Sequence, residues 1–315
     1  MLRRRIIMQP KGGMVGSDYI LVAALFQYPQ LSTDKGASFS SLLDTGSWYG
    51  AAMGDSGQHM LLAASNGYFY TSNNYGATFT PYTSAGYATW RNPYISPDGT
   101  RQLVVANGGY LYISSTSGQY WNYLSALGTG NWYAAAISNN GTYITVVEYG
   151  GRYVRVSSNG GGSFSMVDPS YATRNWVKVA MSTTGQFQVI VAEYDFSTQV
   201  YTPIYTSSDY GATWTARSTE NQSWKSVCMS NIGQVMYAVC PTKVFKSADY
   251  GATWSEVYVN TNVSMVDIQC TSDGQVVYAL GSSGEIIASV DAGTTWQQIA
   301  TTVSNAKNIA ISNVL

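Results

Sequence analysis

One eight-residue pattern occurs seven times along this chain, and its spacing restricts the fold more than any other feature. The first copy reads Ser32-Thr33-Asp34-Lys35-Gly36-Ala37-Ser38-Phe39, and later copies begin at Ser72, Ser114, Ser157, Ser207, Ser247 and Ser289. Successive starts lie 40, 42, 43, 50, 40 and 42 residues apart. A period of this length is that of a four-stranded propeller blade, a unit that buries its faces by stacking on copies of itself.

Each position of the pattern has a mechanical reason. The third residue is Asp34, Asn74, Thr116, Asn159, Asp209, Asp249 or Asp291, a short side chain that can accept hydrogen bonds from turn N–H groups. The fifth residue is always glycine, which takes a positive φ without penalty. A closing Phe or Trp, such as Phe39 or Trp296, anchors the turn in apolar packing. The pattern resembles the Asp box, S-x-D-x-G-x-T-W, of the bacterial-neuraminidase-type repeat, and the resemblance covers residues 17–315. It implies a turn between the third and fourth strands of a blade, away from the ligand face. Asp34, Asn74, Asn159, Asp209, Asp249 and Asp291 are therefore expected to be structural.

A second element precedes most boxes: Trp48 to Gly57, Trp90 to Gly99, Trp132 to Gly141, Trp176 to Gly185 and Trp224 to Gly233, with Met265 to Gly274 lacking the tryptophan. The closing glycine marks a hairpin, so this is strand A turning into strand B. Strict alternation would put Trp224, Ser226 and Cys228 on one face and Val227 and Met229 on the other. It would likewise set Trp132, Ala134 and Ala136 against Ala135 and Ile137. Residues 19–25 read as a strand B with no strand A before it, and residues 306–315 as a strand A with no strand B after it. The expectation is an all-β, single seven-bladed propeller of four-stranded antiparallel blades, closed by the C-terminal strand on the N-terminal blade. Residues 1–16, with Arg3, Arg4 and Arg5, stand outside the repeat as a basic arm.

Composition excludes several classes. Sixteen Lys and Arg against 17 Asp and Glu, and only 10% charged residues, leave no basic footprint for nucleic acid. No apolar run is long enough to span a membrane, and the basic start lacks the apolar stretch of a secretory signal. Cys228, Cys240 and Cys270 form no metal-ligand spacing with one another or with His59, so no metal and no cofactor are expected, and the cysteines read as small buried hydrophobes.

In propellers of the resembling kind, the B–C and D–A connections carry the ligand face. Trp48, Trp90, Trp132, Trp176 and Trp224 would then stand around the channel mouth, as an aromatic platform or as wedges between blades. The stretch from the A–B glycine to the next box is 22 residues in the fifth blade against 14 to 16 in the others. The extra residues fall near Glu193, Tyr194 and Asp195, and Arg152, Asp168 and Arg174 lie in adjacent loops. These residues, with the tryptophans, form the expected ligand-binding sector.

Two functions compete. Sialidase-like or xyloglucanase-like hydrolysis would require two carboxyls at a defined separation, and Glu148 with Glu193 or Asp195 is the candidate set. The sialidase F/Y-R-I-P signature is absent, and xyloglucan-type enzymes pair two propellers. Photosystem assembly factors also use seven such blades, but the resemblance is to their repeat alone, and the arginine-rich patch expected of them is missing. The favoured expectation is a non-catalytic binding or structural module contacting glycans or neighbouring protein subunits. The Ser/Thr/Gly/Tyr-rich, charge-poor composition resembles that of phage and large-virus particle proteins, which implies a virion or extracellular surface.

Overall fold

The computed structural model describes residues 18–195, 199–217 and 222–313. The expected 1–16 arm lies outside these residues. The described chain is all-β: 28 strands and one short 3-10 turn, with no α-helix, and hence no helix able to cross a membrane. Strands Gly46–Met53, Met60–Ala64, Phe69–Ser72 and Thr80–Pro81 pair in sequence as an antiparallel meander, here lettered A to D. The same order recurs from Thr89, Gly130, Arg174, Ser226 and Met265. In the first repeat, strands B to D are Ile20–Gln27, Gln30–Ser32 and Ser40–Ser41, and Ala306–Ile311 pairs with strand B from the A side, Ile20 opposite Ile311.

Burial explains why the strands differ in composition. Strand B residues Met60 to Ala64 are all buried, because successive repeats cover both faces. Met60, Leu62 and Ala64 join a cluster with Leu21, Ala23 and Leu31 of the first repeat, while Leu61 and Ala63 join one with Trp90, Val104 and Ala106 of the third. Every apolar cluster spans two successive repeats in this manner. One of them unites Val276, Tyr278 and Leu280 of the seventh repeat with Ile20, Val22 and Ile309. Strands D, such as Ser40–Ser41 and Thr80–Pro81, are exposed. These two are two residues long and rich in hydroxyls, and one carries proline, which leaves little edge for another chain to pair with, while the D strands of the sixth and seventh repeats, Ser255–Val259 and Gln297–Thr301, run to five residues.

Strict alternation along strand A fails at its upper end. The register slips between Trp48 and Gly50, between Trp132 and Ala134, between Trp176 and Lys178, and between Met265 and Asp267. In these four strands the residue after the tryptophan or Met265 is thus a bulge, which inverts the phase of the remainder of the strand; in Thr89–Ile95 the slip comes later, between Arg91 and Tyr94. Trp224 consequently clusters with Val227, while Cys228 packs on the seventh repeat with Ile268. Trp132 likewise groups with Ala135 and Ile137, and Ala134 and Ala136 face the fifth repeat. The expected grouping of Trp224 with Cys228, and of Trp132 with Ala134, is corrected by that single residue.

The eight-residue turns share one hydrogen-bond network. In the first, the Gly36 N–H donates to Ser32 Oγ at 2.8 Å, and the Ser38 N–H donates to Asp34 Oδ1 at 2.8 Å. Asn74 and Asn159 accept the equivalent N–H bonds through their amide oxygens, and Thr116 does so through its hydroxyl. Both central residues have positive φ: Lys35 at 60° and Gly36 at 84°, with Tyr75, Tyr210 and Tyr250 equivalent to Lys35. Two successive positive φ values, closed by Ala37 N–H to Asp34 O at 3.1 Å, define a primed turn whose twist suits a hairpin. The strain thus falls on a non-glycine residue as well as on the glycine.

The Thr295 hydroxyl and then its backbone N–H hold the Asp291 carboxyl down to about 2, outweighing a small desolvation. A folded pKa below the unfolded value gives stability that is present above about pH 4 and is lost as pH falls through 2. Asp291→Asn should therefore lower the thermal midpoint at pH 7, and by progressively less between pH 4 and pH 2. Asn74→Asp should add an acid-labile increment over the same window, read by melting curves at each pH.

The A strands of successive repeats lie side by side, and Ala306–Ile311 lies beside both Met265–Cys270 and Gly46–Met53. Asp267, only 2% exposed, is the polar centre of this contact. It accepts from the Ser226 hydroxyl, from Asn308 Nδ2 at 2.5 Å and from the Ile309 N–H at 2.9 Å, with Lys178 Nζ at 3.6 Å. Asn308 Oδ1 in turn accepts from the Ala51 N–H at 2.7 Å. At the lower end, backbone bonds run from Asn139 to Thr183, Thr183 to Asn231, Asn231 to Ser272 and Asn313 to Asp55. Removing one partner of a buried ionic network leaves the others unpaired, so Asp267→Ala should cost about 3–5 kcal/mol in a denaturant melt. Lys178→Met should cost less, because the Asp267 hydrogen bonds survive it.

Candidate functional site

The five strand-A tryptophans are buried, none more than 5% exposed. Trp90 packs edge-on against Phe69 with ring centroids 5.0 Å apart, and Trp224 packs likewise against Phe245 at 5.2 Å. Trp48, Trp132 and Trp176 sit in the clusters between their own and the preceding repeats. They wedge the repeats together and offer no free face to a sugar ring, which corrects the aromatic-platform expectation. The Trp224 indole N–H donates to the Thr202 carbonyl at 2.8 Å, whereas the buried Trp176 N–H has no partner. Trp224→Phe orphans a buried carbonyl and Trp176→Phe does not. The first should therefore destabilise by roughly 1–3 kcal/mol more than the second in parallel denaturant titrations.

Exposed aromatics stand on the loops at both ends: Tyr75, Tyr120, Tyr210 and Tyr250 on the eight-residue turns, and a larger group at the end where strands A begin. Phe26, Tyr87 and Tyr171 are 74%, 72% and 82% exposed, and Tyr28, Tyr110, Tyr149, Tyr153 and Tyr201 are exposed as well. Several are braced in pairs: Tyr68 with Tyr87 at 4.4 Å, Tyr110 with Tyr123 at 4.8 Å and Tyr194 with Tyr201 at 4.5 Å. All of this larger group lie in or beside B–C and D–A connections of the first five repeats. A tyrosine held by a neighbouring ring presents a rigid amphipathic surface at small entropic cost.

Within this face, a cavity of about 150 Å³ opens among the residues just past the tryptophans. Tyr49, Arg91, Tyr133, Val177, Lys225, Val266 and Lys307 line it from successive repeats, each one residue past the tryptophan or its equivalent, with Lys178, Asp267 and Glu193. Tyr49, Tyr133, Val177, Val266 and Lys307 stand at the slipped position of their strands, whereas Arg91 pairs with Val105 and its strand slips beyond it, before Tyr94. Arg91 Cζ lies 4.0 Å from the ring centre of Tyr49 and 5.1 Å from that of Tyr133. Burial first, then the nearby Glu193 carboxylate, raise the Tyr133 phenol, offset in part by Arg91, to about 12. Burial also raises Tyr149, which packs on Tyr133 at 5.3 Å and feels Glu193 and Asp195.

The predicted sector is assembled only in part. Glu193 reaches into the cavity and pairs with Lys225 at 2.8 Å. Glu148 does not line the cavity and accepts from the Asn131 N–H at 3.3 Å. Asp195 is buried at the base of the long loop, its backbone bridged to Val200, and the Tyr194 N–H donates to Ser223 Oγ. Residues 196–198 of that loop lie outside the described residues. Arg152 pairs with Asp168 at 2.5 Å, Arg174 donates to the Thr173 carbonyl, and none of the three lines the cavity. Among the described residues no group of three His, Cys, Asp or Glu side chains is placed to hold a metal.

Sequence reasoning missed the column one residue past the tryptophan, because it has no shared residue type. Its signal lies in that variety, beside a column that is nearly uniform.

No protein family and no curated protein sequence matches the chain. Among solved structures, the fold is similar to YCF48 from Cyanidioschyzon merolae, with a TM-score of 0.58 and 16% identity over 81% of this chain and 86% of that one. It is similar to YCF48 bound to D1 peptide, with a TM-score of 0.59 and 16% identity over 82% and 83%. It is also similar to the GH74 xyloglucanase from Xanthomonas campestris, with a TM-score of 0.68 and 13% identity over 94% of this chain but only 52% of that enzyme. At these identities the likeness concerns the fold: the chain is a β-propeller-type, all-β protein.

Proposed function

We propose that the chain is a non-catalytic binding module, a seven-bladed propeller whose upper face holds a polypeptide partner. The closed-ring reading draws support from Ala306–Ile311 paired with strand B of the first repeat, and from the apolar cluster joining the seventh repeat to the first. The turn motifs serve this scaffold as Asp boxes would. The observation that carries the binding reading is the crowding of exposed aromatics on the B–C and D–A loops, denser than at the eight-residue turns and gathered around a small polar cavity. Such surfaces suit extended chains, whose backbone can be hydrogen-bonded by phenol hydroxyls while side chains lie on the rings. One similar structure is of YCF48 bound to a peptide, which favours a polypeptide over a glycan.

Hydrolysis is less well supported. A two-carboxylate mechanism needs both groups open to one substrate, whereas Glu193 is engaged by Lys225 and Glu148 by the Asn131 N–H. Selection from a peptide-display library should enrich binders. The double variant Tyr87→Ser/Tyr171→Ser should weaken them at least ten-fold, about 1.4 kcal/mol, with an unchanged melting curve. A glycan array that outperforms the peptides would move the partner to carbohydrate. Turnover on a fluorogenic glycoside panel that Glu193→Gln abolishes would overturn the module reading.

A further inference from the structure

The cavity on the upper face carries an electrostatic imbalance that the fold does not consume. Four cations, Arg91, Lys178, Lys225 and Lys307, line it with two carboxylates, Glu193 and Asp267. Lys225 is taken by Glu193 at 2.8 Å and Lys178 by Asp267 at 3.6 Å. Arg91 and Lys307 have no ion-pair partner among the described residues, and Lys307 is exposed. The Arg91 guanidinium is held between the Tyr49 and Tyr133 rings, and its buried Nε has no hydrogen-bond acceptor. A buried, unsatisfied donor on a cation is costly, and a carboxylate oxygen is the group that relieves it best.

We infer that the cavity is a receptor for a single carboxylate of the partner, an acidic side chain that enters between Arg91 and Lys307. The inference rests on the reading of the upper face as a polypeptide-binding surface. Size and charge both narrow the ligand. About 150 Å³ is half the volume of the smaller ligand pockets, and admits one benzene-sized group rather than a sugar chain. The resident Glu193 and Asp267 carboxylates would repel a dianion such as phosphate more than a monoanion. The planar guanidinium, fixed by stacking, offers a carboxylate two parallel N–H donors without first having to be ordered. Only 10% of the chain is charged, so few other surface charges compete for an acidic segment.

The test uses the full chain labelled with ¹⁵N, titrated with sodium propionate as an analogue of the glutamate side chain. Arg91 Nε–H and the Tyr49 and Tyr133 amides are the reporters. The expected result is a saturable shift with a Kd in the millimolar range, absent with neutral propionamide and weakened at least five-fold in Lys307→Gln and in Arg91→Gln. Lys307 is exposed, so its variant keeps the test valid even where Arg91→Gln perturbs the tyrosine stack. No saturable shift, an equal response to propionamide, tighter binding of inorganic phosphate than of propionate, or unchanged binding in Lys307→Gln would each overturn the inference. If display-selected peptides bind the upper face while propionate does not, the carboxylate receptor falls and the polypeptide reading stands. If propionate binds and no peptide is enriched, the polypeptide reading falls, and with it the assignment of the carboxylate to a partner.

Discussion

No repeat in this protein owns a complete core, and the other features of the fold are consequences of that. Strand B of each repeat is covered on both faces by its neighbours, as Met60, Leu62 and Ala64 are from one side and Leu61 and Ala63 from the other. Each large side chain so buried contributes roughly 1.5–3 kcal/mol, but only while both neighbours are present. A repeat at a free end would expose a sheet of leucine, isoleucine and valine. The pairing of Ala306–Ile311 with Ile20–Ala24 answers that need for the first and seventh repeats together. The tryptophans belong to the same requirement: in five of the seven repeats a wide ring at the top of strand A fills the diverging space between two sheets, and Met265 and Ala306 take its place in the others.

Against this background the bulge after Trp48, Trp132 and Trp176 has a structural cause and a chemical result. A tryptophan facing one neighbour and an aliphatic residue three positions later facing the same neighbour cannot both fit a period of two. One extra residue reconciles them, as between Trp132 and Ala135. That residue has no ladder partner, and its side chain is released from the packing that governs the rest of the strand. Hence Trp48, Trp132 and Trp176 lie next to positions where tyrosine or valine serves equally well.

Much of the scaffold was legible in the sequence because its devices are local. The serine, the short acceptor, the glycine and the aromatic of each turn lie within eight residues, and their network forms with Asn74 or Thr116 as well as with Asp34. The period followed from their spacing. The positive φ at Lys35 and its equivalents was not legible, since lysine, tyrosine and alanine at that place carry no conformational signature. Nor was the bulge, because a phase inversion inside a strand changes the faces without changing the composition. The site suffered most from this. The resemblance placed the tryptophans at the channel mouth, as a platform or as wedges, and the loop tyrosines and the Arg91 column share no motif. Charge counting did find the sector of Glu193, but not that Lys225, from the next repeat, neutralises it.

The two buried or half-buried ion pairs at the top of the A strands show how scaffold and site divide the same few charges. A buried pair is weak evidence for stability, because desolvation offsets most of the attraction. Asp267 escapes that balance by accepting from Ser226, Asn308 and Ile309 as well as facing Lys178, so it fixes the heights of four A strands relative to one another. Glu193 has only Lys225, in a half-exposed pair that solvent weakens. Arg91 is the reverse case: its stacking on Tyr49 and Tyr133 satisfies the flat faces of the guanidinium but not its edge. An edge left open on a cation whose position is already fixed stabilises nothing in the free protein. Because stacking has already fixed the guanidinium, an anion meeting that open edge would pay little to order it.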